Sequence, residues 1–211
     1  VGAGPGLGLA VARRFGRGGF PVVLIARNLE RLATLCAELT AEGIPAASFQ
    51  ADCVDEAQVR AALAAASERF GHVGALVYNA ARLGLHLGPL ELTAAAFHRA
   101  LQVDVVSALI SVQCVAEQMR ARCRGTILLT GGSAAFEPDP DWCALGVGKA
   151  GLRNLAFSLA AALEPDGIHV ATVTISDWIG GSPEYAADRL ASLYWALHTE
   201  EPGSWRREVI V

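Results

Sequence analysis

Short β-branched apolar runs alternate with Ala- and Leu-rich stretches along this whole chain, and few folds accept that order. The runs at 22–26 (VVLIA), 75–78 (ALVY), 126–130 (TILLT) and 168–175 (IHVATVTI) are short and rich in β-branched residues, as strands buried on both faces are. Helical patterns fill 6–17, 28–42, 55–70, 94–121 and 143–163. Asn28 and Asp55 stand as N-caps, and Gly43 and Gly71 as helix ends. Repeated strand–helix–strand units require right-handed crossovers, so the expected architecture is α/β: a doubly wound parallel sheet in three layers. The length of 211 residues suits one domain, 1–211, with no linker or repeat to divide it. Val1 stands directly before a glycine loop, where such folds have already completed a strand, so upstream residues are expected to be missing from the sequence.

Composition removes several function classes. A hydrophobic share of 53% against 18% charged residues describes a chain with a large core. The net charge is −4 with scattered basic residues, which argues against a nucleic-acid partner. No uncharged apolar run of membrane-spanning length and no signal peptide is apparent, so no membrane partner is expected. The five cysteines (Cys36, Cys53, Cys114, Cys123, Cys143) show no CxxC and no metal-ligand spacing. They read as free thiols of a cytoplasmic protein without a metal site.

Two features carry chemistry. Gly2-Ala3-Gly4-Pro5-Gly6-Leu7-Gly8 runs straight into a helical segment. Such glycines permit positive φ and close backbone approach to a pyrophosphate, while the helix start offers free N–H groups and a positive dipole end. About twenty residues on, the place where an acidic residue would accept from a ribose is apolar, and Arg27 follows it. Arg27 can pair with a 2′-phosphate and stack on adenine, favouring NADP over NAD, or it is a surface residue opening a helix. Asp52 accepts from the adenine amino group or sits at a turn. The second feature is Lys149, the sole lysine among 17 basic residues. A compact, rotatable ammonium does work that a planar, permanently charged guanidinium does badly.

These residues resemble the short-chain dehydrogenase/reductase family, and the likeness runs along the whole chain. Gly2, Gly6 and Gly8 match TGxxxGxG, with Val1 in the place of Thr; Asp52 matches the adenine-contacting Asp. Tyr78-Asn79-Ala80-Ala81 is similar to NNAG, Lys149 falls on the Lys of YxxxK, and 166–170 (DGIHV) resembles the approach to strand six. The resemblance implies a Rossmann-type sheet in the order 3-2-1-4-5-6-7, the C-terminal EVIV supplying the last strand. It implies an NADP site built from Gly2, Gly4, Gly6, Leu7, Gly8, Arg27, Asp52, Asn79, Ala80, Lys149 and Ile179, a small-molecule substrate, and homodimers or homotetramers formed through the long middle helices.

The departures fall on the catalytic groups. The YxxxK tyrosine, a general acid one helical turn before the lysine, corresponds to Leu145. Thirteen residues before it, the family's serine corresponds to Gly132, with Ser133 adjacent and able to replace it if the loop is one residue shorter. The Asn of the family's water relay aligns with Asp104. Lys149, Ser133 and Asp104 are thus the candidate catalytic residues. A short segment, 177–186, replaces the usual substrate lid, and Trp142, Trp178 and Trp195 are candidates to line an apolar cleft or to fill the core. His98 reads as a solvated helix residue, while His86 and His98 both flank the segment after the fourth strand; His169 reads as a satisfied strand histidine. The functional expectation is an NADP(H)-dependent oxidoreductase acting on a carbonyl, hydroxyl or activated C=C through a non-standard site. The alternative is a catalytically silent dinucleotide-binding protein, a redox sensor or partner subunit.

Overall fold

A computed structural model describes residues 1–211. In chain order the elements are α1 (Leu7–Arg17), β1 (Val22–Ala26), α2 (Leu29–Ala41), β2 (Ala46–Gln50), α3 (Glu56–Phe70), β3 (Ala75–Tyr78), α4 (Ala94–Leu101), α5 (Ser107–Ala121), β4 (Gly125–Gly132), α6 (Cys143–Leu163), β5 (Ile168–Ile175), α7 (Ala187–His198) and β6 (Glu208–Ile210). The caps form where side-chain chemistry places them. Asn28 Oδ1 accepts from the Arg31 amide at 2.8 Å and Asp55 Oδ1 from that of Gln58 at 3.1 Å. Gly71 ends α3 at φ +84, where a Cβ would be strained.

Every strand pair is parallel, and helices cover both faces. One face carries α3, α5 and α6 over a core that includes Val59, Leu63, Val115, Met119, Leu152 and Ala156. On the other face, α1 and α7 pack through Leu7, Val11, Phe15, Leu190 and Tyr194, while α1 and α2 share Leu9, Leu32, Leu35 and Leu39. Both faces of β4 and β5 are therefore buried, which is why those strands read as continuous apolar runs.

A single sheet of seven strands is not seen. Six strands form two blocks, β1-β2 and β3-β4-β5-β6. Between β1 and β3 lies a cavity of about 390 Å³ lined by apolar residues of both strands and of α1 and α3. Only the first residues of the chain cross it. Val1 donates to the Val77 carbonyl at 2.8 Å and accepts from the Asn79 amide at 2.9 Å, while Gly2 and Ala3 both donate to the Ile25 carbonyl. The glycine loop is thereby fixed at the C-terminal ends of β1 and β3.

Residues 94–121, expected as one helix, form a rod of 28 residues interrupted by a π-helical turn at Gln102–Val106. By length and composition alone this rod is apolar enough to cross a bilayer, although Arg99, Asp104, Glu117 and Arg120 interrupt it, so it is not an uncharged run of the kind the sequence lacks. Here Ala108, Ile110, Val112 and Val115 are buried in the core. The π turn widens the helix by one residue per turn and frees a carbonyl from the usual ladder. Tyr78, fully buried at the end of β3, donates its hydroxyl to the Val103 carbonyl inside that turn. Replacing Tyr78 by Phe leaves that carbonyl without its partner. The expected loss is about 1–3 kcal/mol of unfolding free energy, read by denaturant titration.

Candidate active site

The C-terminal ends of β1, β3, β4 and β5 converge on Lys149, and the local sequence explains how. In α6, Lys149 is 6% exposed and its Nζ donates to the Thr130 carbonyl at 2.7 Å. Burial holds the ammonium pKa below the usual lysine value, and the nearby Asp104 works against that shift. Thr130 belongs to the last turnless stretch of β4, and its hydroxyl donates to Asn79 Oδ1 at 3.0 Å. Asn79 in turn donates through Nδ2 to the Gly2 carbonyl at 3.1 Å. One chain of hydrogen bonds thus connects the lysine to the glycine loop. Tyr194, fully buried on α7, shares a 2.7 Å hydrogen bond with the Thr130 hydroxyl and completes that group's partners.

Asp104 sits in the π turn and is fully buried. Its Oδ1 accepts from the Arg82 amide at 2.8 Å, whereas Oδ2 has no partner. The second oxygen lies against α6, where a Cβ at Gly148 would stand 2.5 Å from it; a glycine there is what lets the carboxyl approach. Burial raises the Asp104 pKa, opposed by the Arg82 hydrogen bond and by the positive charges of Lys149 and Arg82. Arg82 Nε and Ser107 Oγ are likewise buried without partners.

The glycine loop has the shape of an anion cradle. Gly2 adopts φ +81, and a Cβ there would collide with the Ala80 backbone. Gly8 packs closely on Ala3, while a Cβ at Gly4 or Gly6 would project into open space. Leu7 begins α1, and the helix start has neither a side-chain cap nor an acidic residue in its first turn. Its free N–H groups and dipole are therefore available to a phosphate. Arg27 is exposed at the end of β1, its carbonyl held by Gln50 Nε2 at 2.8 Å. Asp52, beyond the adjacent β2, receives the Gln58 side chain on its amide and turns Oδ1 to the Val54 amide at 3.2 Å. The residues present fit a dinucleotide phosphate backbone with a cation at its adenosine end.

The remaining expected residues are placed unequally. Gly132, not Ser133, faces the lysine: a Cβ at 132 would lie 3.7 Å from Lys149 Cγ, an ordinary contact. Ser133 opens a 3-10 turn, and its hydroxyl approaches the Ser176 carbonyl at 3.5 Å. Ile179 is 44% exposed in the segment after β5. Leu145 lies one turn before Lys149 in α6 and Trp142 at the start of that helix, so spacings of three and four place all three on one face. Trp142 meets His86 at 4.0 Å and Trp178 at 5.8 Å between ring centroids. Trp195 is elsewhere, packed against Phe15 and Phe20 and filling the space above Gly18. His169 is buried, its ring nitrogens on the Leu197 and Arg206 carbonyls. Thr130, Tyr194, Tyr78 and Arg82 act at this site through contacts distant in sequence; a polar residue closing an apolar strand was the only sign of Thr130.

Comparison with known proteins agrees with this geometry. The family model for short chain dehydrogenases matches residues 1–177. A 2-(S)-hydroxypropyl-CoM dehydrogenase of Xanthobacter autotrophicus is 31% identical over 203 residues, 90% of this chain and 79% of that protein. The human dehydrogenase/reductase SDR family member 4 is 28% identical over 166 residues, 78% of this chain. The chain spans 31% to 59% of the length of several such curated relatives. Among solved structures, a short-chain dehydrogenase from Rhodopseudomonas palustris superposes with a TM-score of 0.90 at 29% identity, covering 100% of this chain and 95% of that one. A metagenomic short-chain oxidoreductase in complex with NADP gives 0.89 at 29% identity, covering 98% and 91%.

Asp104 also makes a prediction about stability. A carboxyl whose pKa is raised on folding binds more protons in the native state, so it lowers stability as pH rises from its unfolded value of about 3.9 through its native one. Asp104→Asn keeps the acceptor for Arg82 and cannot ionise. The variant is expected to exceed the parent in stability at pH 7, with the difference shrinking below about pH 4; thermal melts across pH read it.

Proposed function

The chain belongs to the short-chain dehydrogenase family, and from that premise we propose that it is an NADP(H)-dependent oxidoreductase acting on a small carbonyl or hydroxyl compound with an altered proton-donating site. The observation that carries the reading is the continuous connection from the glycine loop through Asn79 and Thr130 to a buried ammonium. That connection ties the lysine to a loop that leads into an uncapped helix start, the arrangement a dinucleotide's phosphates would use. Two solved structures at 29% identity support it, one of them an NADP complex.

In this reading the amides of Gly2–Gly8 and the start of α1 hold the pyrophosphate, and Arg27 pairs with the 2′-phosphate. Asp52 borders the adenine; Asn79, Ala80 and Lys149 hold the nicotinamide side, with Ile179 at its carboxamide. The bound dinucleotide supplies or accepts a hydride. Lys149 places a positive charge where a substrate oxygen gains negative charge, worth most in a site shielded from water. Asp104 keeps a protonatable oxygen behind the lysine, where the family places an amide. Leu145 cannot transfer a proton, and Gly132 cannot orient a carbonyl. The chain therefore binds and positions its reactants but lacks the side chain that normally protonates the product, a contribution of about 10²–10⁴-fold. The same two residues favour the second reading, a dinucleotide-binding protein without turnover. Association through α5 and α6 into homodimers or homotetramers, and a cytoplasmic location, accompany the first reading.

Two measurements decide between these. Fluorescence titration should show NADPH binding tighter than NADH, with Arg27→Ala removing most of that preference; binding of neither overturns both readings. Leu145→Tyr with Gly132→Ser restores both hydroxyls, and the ordinary spacing around Gly132 accommodates the serine Cβ. Carbonyl reduction rising by about 10²-fold or more supports an intact substrate pocket; unchanged activity with NADPH bound supports the silent reading.

A further inference from the structure

The substrate side of this site has two properties that point the same way. It lacks a phenol, and it is walled by aromatic rings. Leu145 occupies the turn of α6 directly before Lys149, at intermediate exposure, so the side chain one turn before the ammonium is apolar. Gly132 leaves the other flank without a hydroxyl. Three rings in contact come from three separate segments: His86 after β3, Trp142 just before α6 and Trp178 after β5. They form a continuous edge-to-face series, with ring planes at 64° and 62°. Trp178 is 63% exposed, although an indole with a neighbouring indole would ordinarily bury its face. Ile175 pairs with Gly132 across β5 and β4, and Trp178 follows three residues later, so the exposed ring stands at the same end of the sheet as Lys149.

We infer that this site takes a flat aromatic ketone bearing a hydroxyl ortho to its carbonyl, the substrate itself supplying the phenol that position 145 lacks. The inference rests on the oxidoreductase reading above. The ring system stacks on the exposed face of Trp178 with Trp142 at its edge, and the ortho hydroxyl, bonded to the ketone oxygen, lies over Leu145. A C–H bond forms at the carbonyl carbon with hydride from the reduced nicotinamide dinucleotide, and the C=O π pair moves to oxygen. The phenol O–H breaks and its proton passes to that oxygen, giving the alcohol. The phenolate left behind is stabilised by the Lys149 ammonium and takes its proton from water. A phenol of pKa about 10 is the same acid that a tyrosine would have provided.

The test uses 1-hydroxy-2-acetonaphthone and its methyl ether, which keeps the ring and the ketone but has no transferable proton. With NADPH, the full chain is expected to reduce the hydroxy ketone about 100-fold faster than the ether, and Leu145→Tyr should bring the two within about 10-fold by restoring the proton donor. Calorimetry gives a readout independent of turnover. The hydroxy ketone should bind the NADP-loaded protein, and Trp178→Ala and Trp142→Leu should each weaken that binding about 10-fold. Trp178 is exposed, so its replacement leaves the core intact. Equal rates for the two ketones, or binding indifferent to both tryptophans while NADPH still binds, overturns this inference and leaves the oxidoreductase reading standing. Absence of NADPH binding overturns that reading, and this one with it.

Discussion

A buried ammonium must find an acceptor, and the whole site is arranged around the one that Lys149 finds. An unpaired charge at 6% exposure would be too costly to keep; the carbonyl of Thr130 at 2.7 Å meets one N–H, and the carboxyl of Asp104 supplies an opposing field. Thr130 can present its carbonyl to α6 only because β4 continues to Gly132 without bending away, held by β5 over its full length. Its hydroxyl is then free to face Asn79 and Tyr194 from the opposite direction. The glycine loop, two strands and two helices thus share one network, in which losing a single partner leaves a buried polar atom unmet.

Helix α6 is held just as firmly from its far side. Arg153 makes a bidentate pair with Glu208 of β6, at 2.6 and 2.9 Å, and Thr174 of β5 donates to the same carboxylate at 2.7 Å. These bonds hold the Glu208 carboxyl below the usual range, the Arg153 hydrogen bond most of all. The last strand therefore fixes the rotation of the helix that presents Trp142, Leu145 and Lys149. Across the sheet, Tyr78 fixes the π turn that presents Asp104. The two candidate groups come from a regular helix and from a π turn, each pinned by a side chain more than twenty residues away in sequence.

That distinction explains how much of the protein was legible in its sequence. Strands such as 168–175 and caps such as Asn28 and Asp55 depend on neighbours within a few residues, and local pattern shows them. The glycine loop and Lys149 were legible because rare residue types stood at informative spacings. The π turn was not, since QVDVV has ordinary helical composition and the widening is selected by Tyr78 from another element. Thr130, Tyr194 and Arg82 were invisible for the same reason: the partners in these bonds lie 22 to 64 positions away. Trp195 shows the reverse case, a ring offered for the cleft that tertiary packing places above Gly18.

The contrast between what is kept and what is replaced in α6 carries the functional argument furthest. Lysine and tyrosine one turn apart act together: the cation lowers the phenol's pKa and the phenol delivers the proton. With leucine at 145 the cation has no phenol to tune, yet it remains buried, hydrogen-bonded and connected to the phosphate cradle. Leucine also adds apolar surface beside the ammonium, which strengthens its field at any oxygen brought near. Such a site favours reactants whose product oxygen needs charge stabilisation more than it needs a protein acid. In the proposed reading, the rings of Trp142 and Trp178 favour, among those reactants, the ones flat enough to stack.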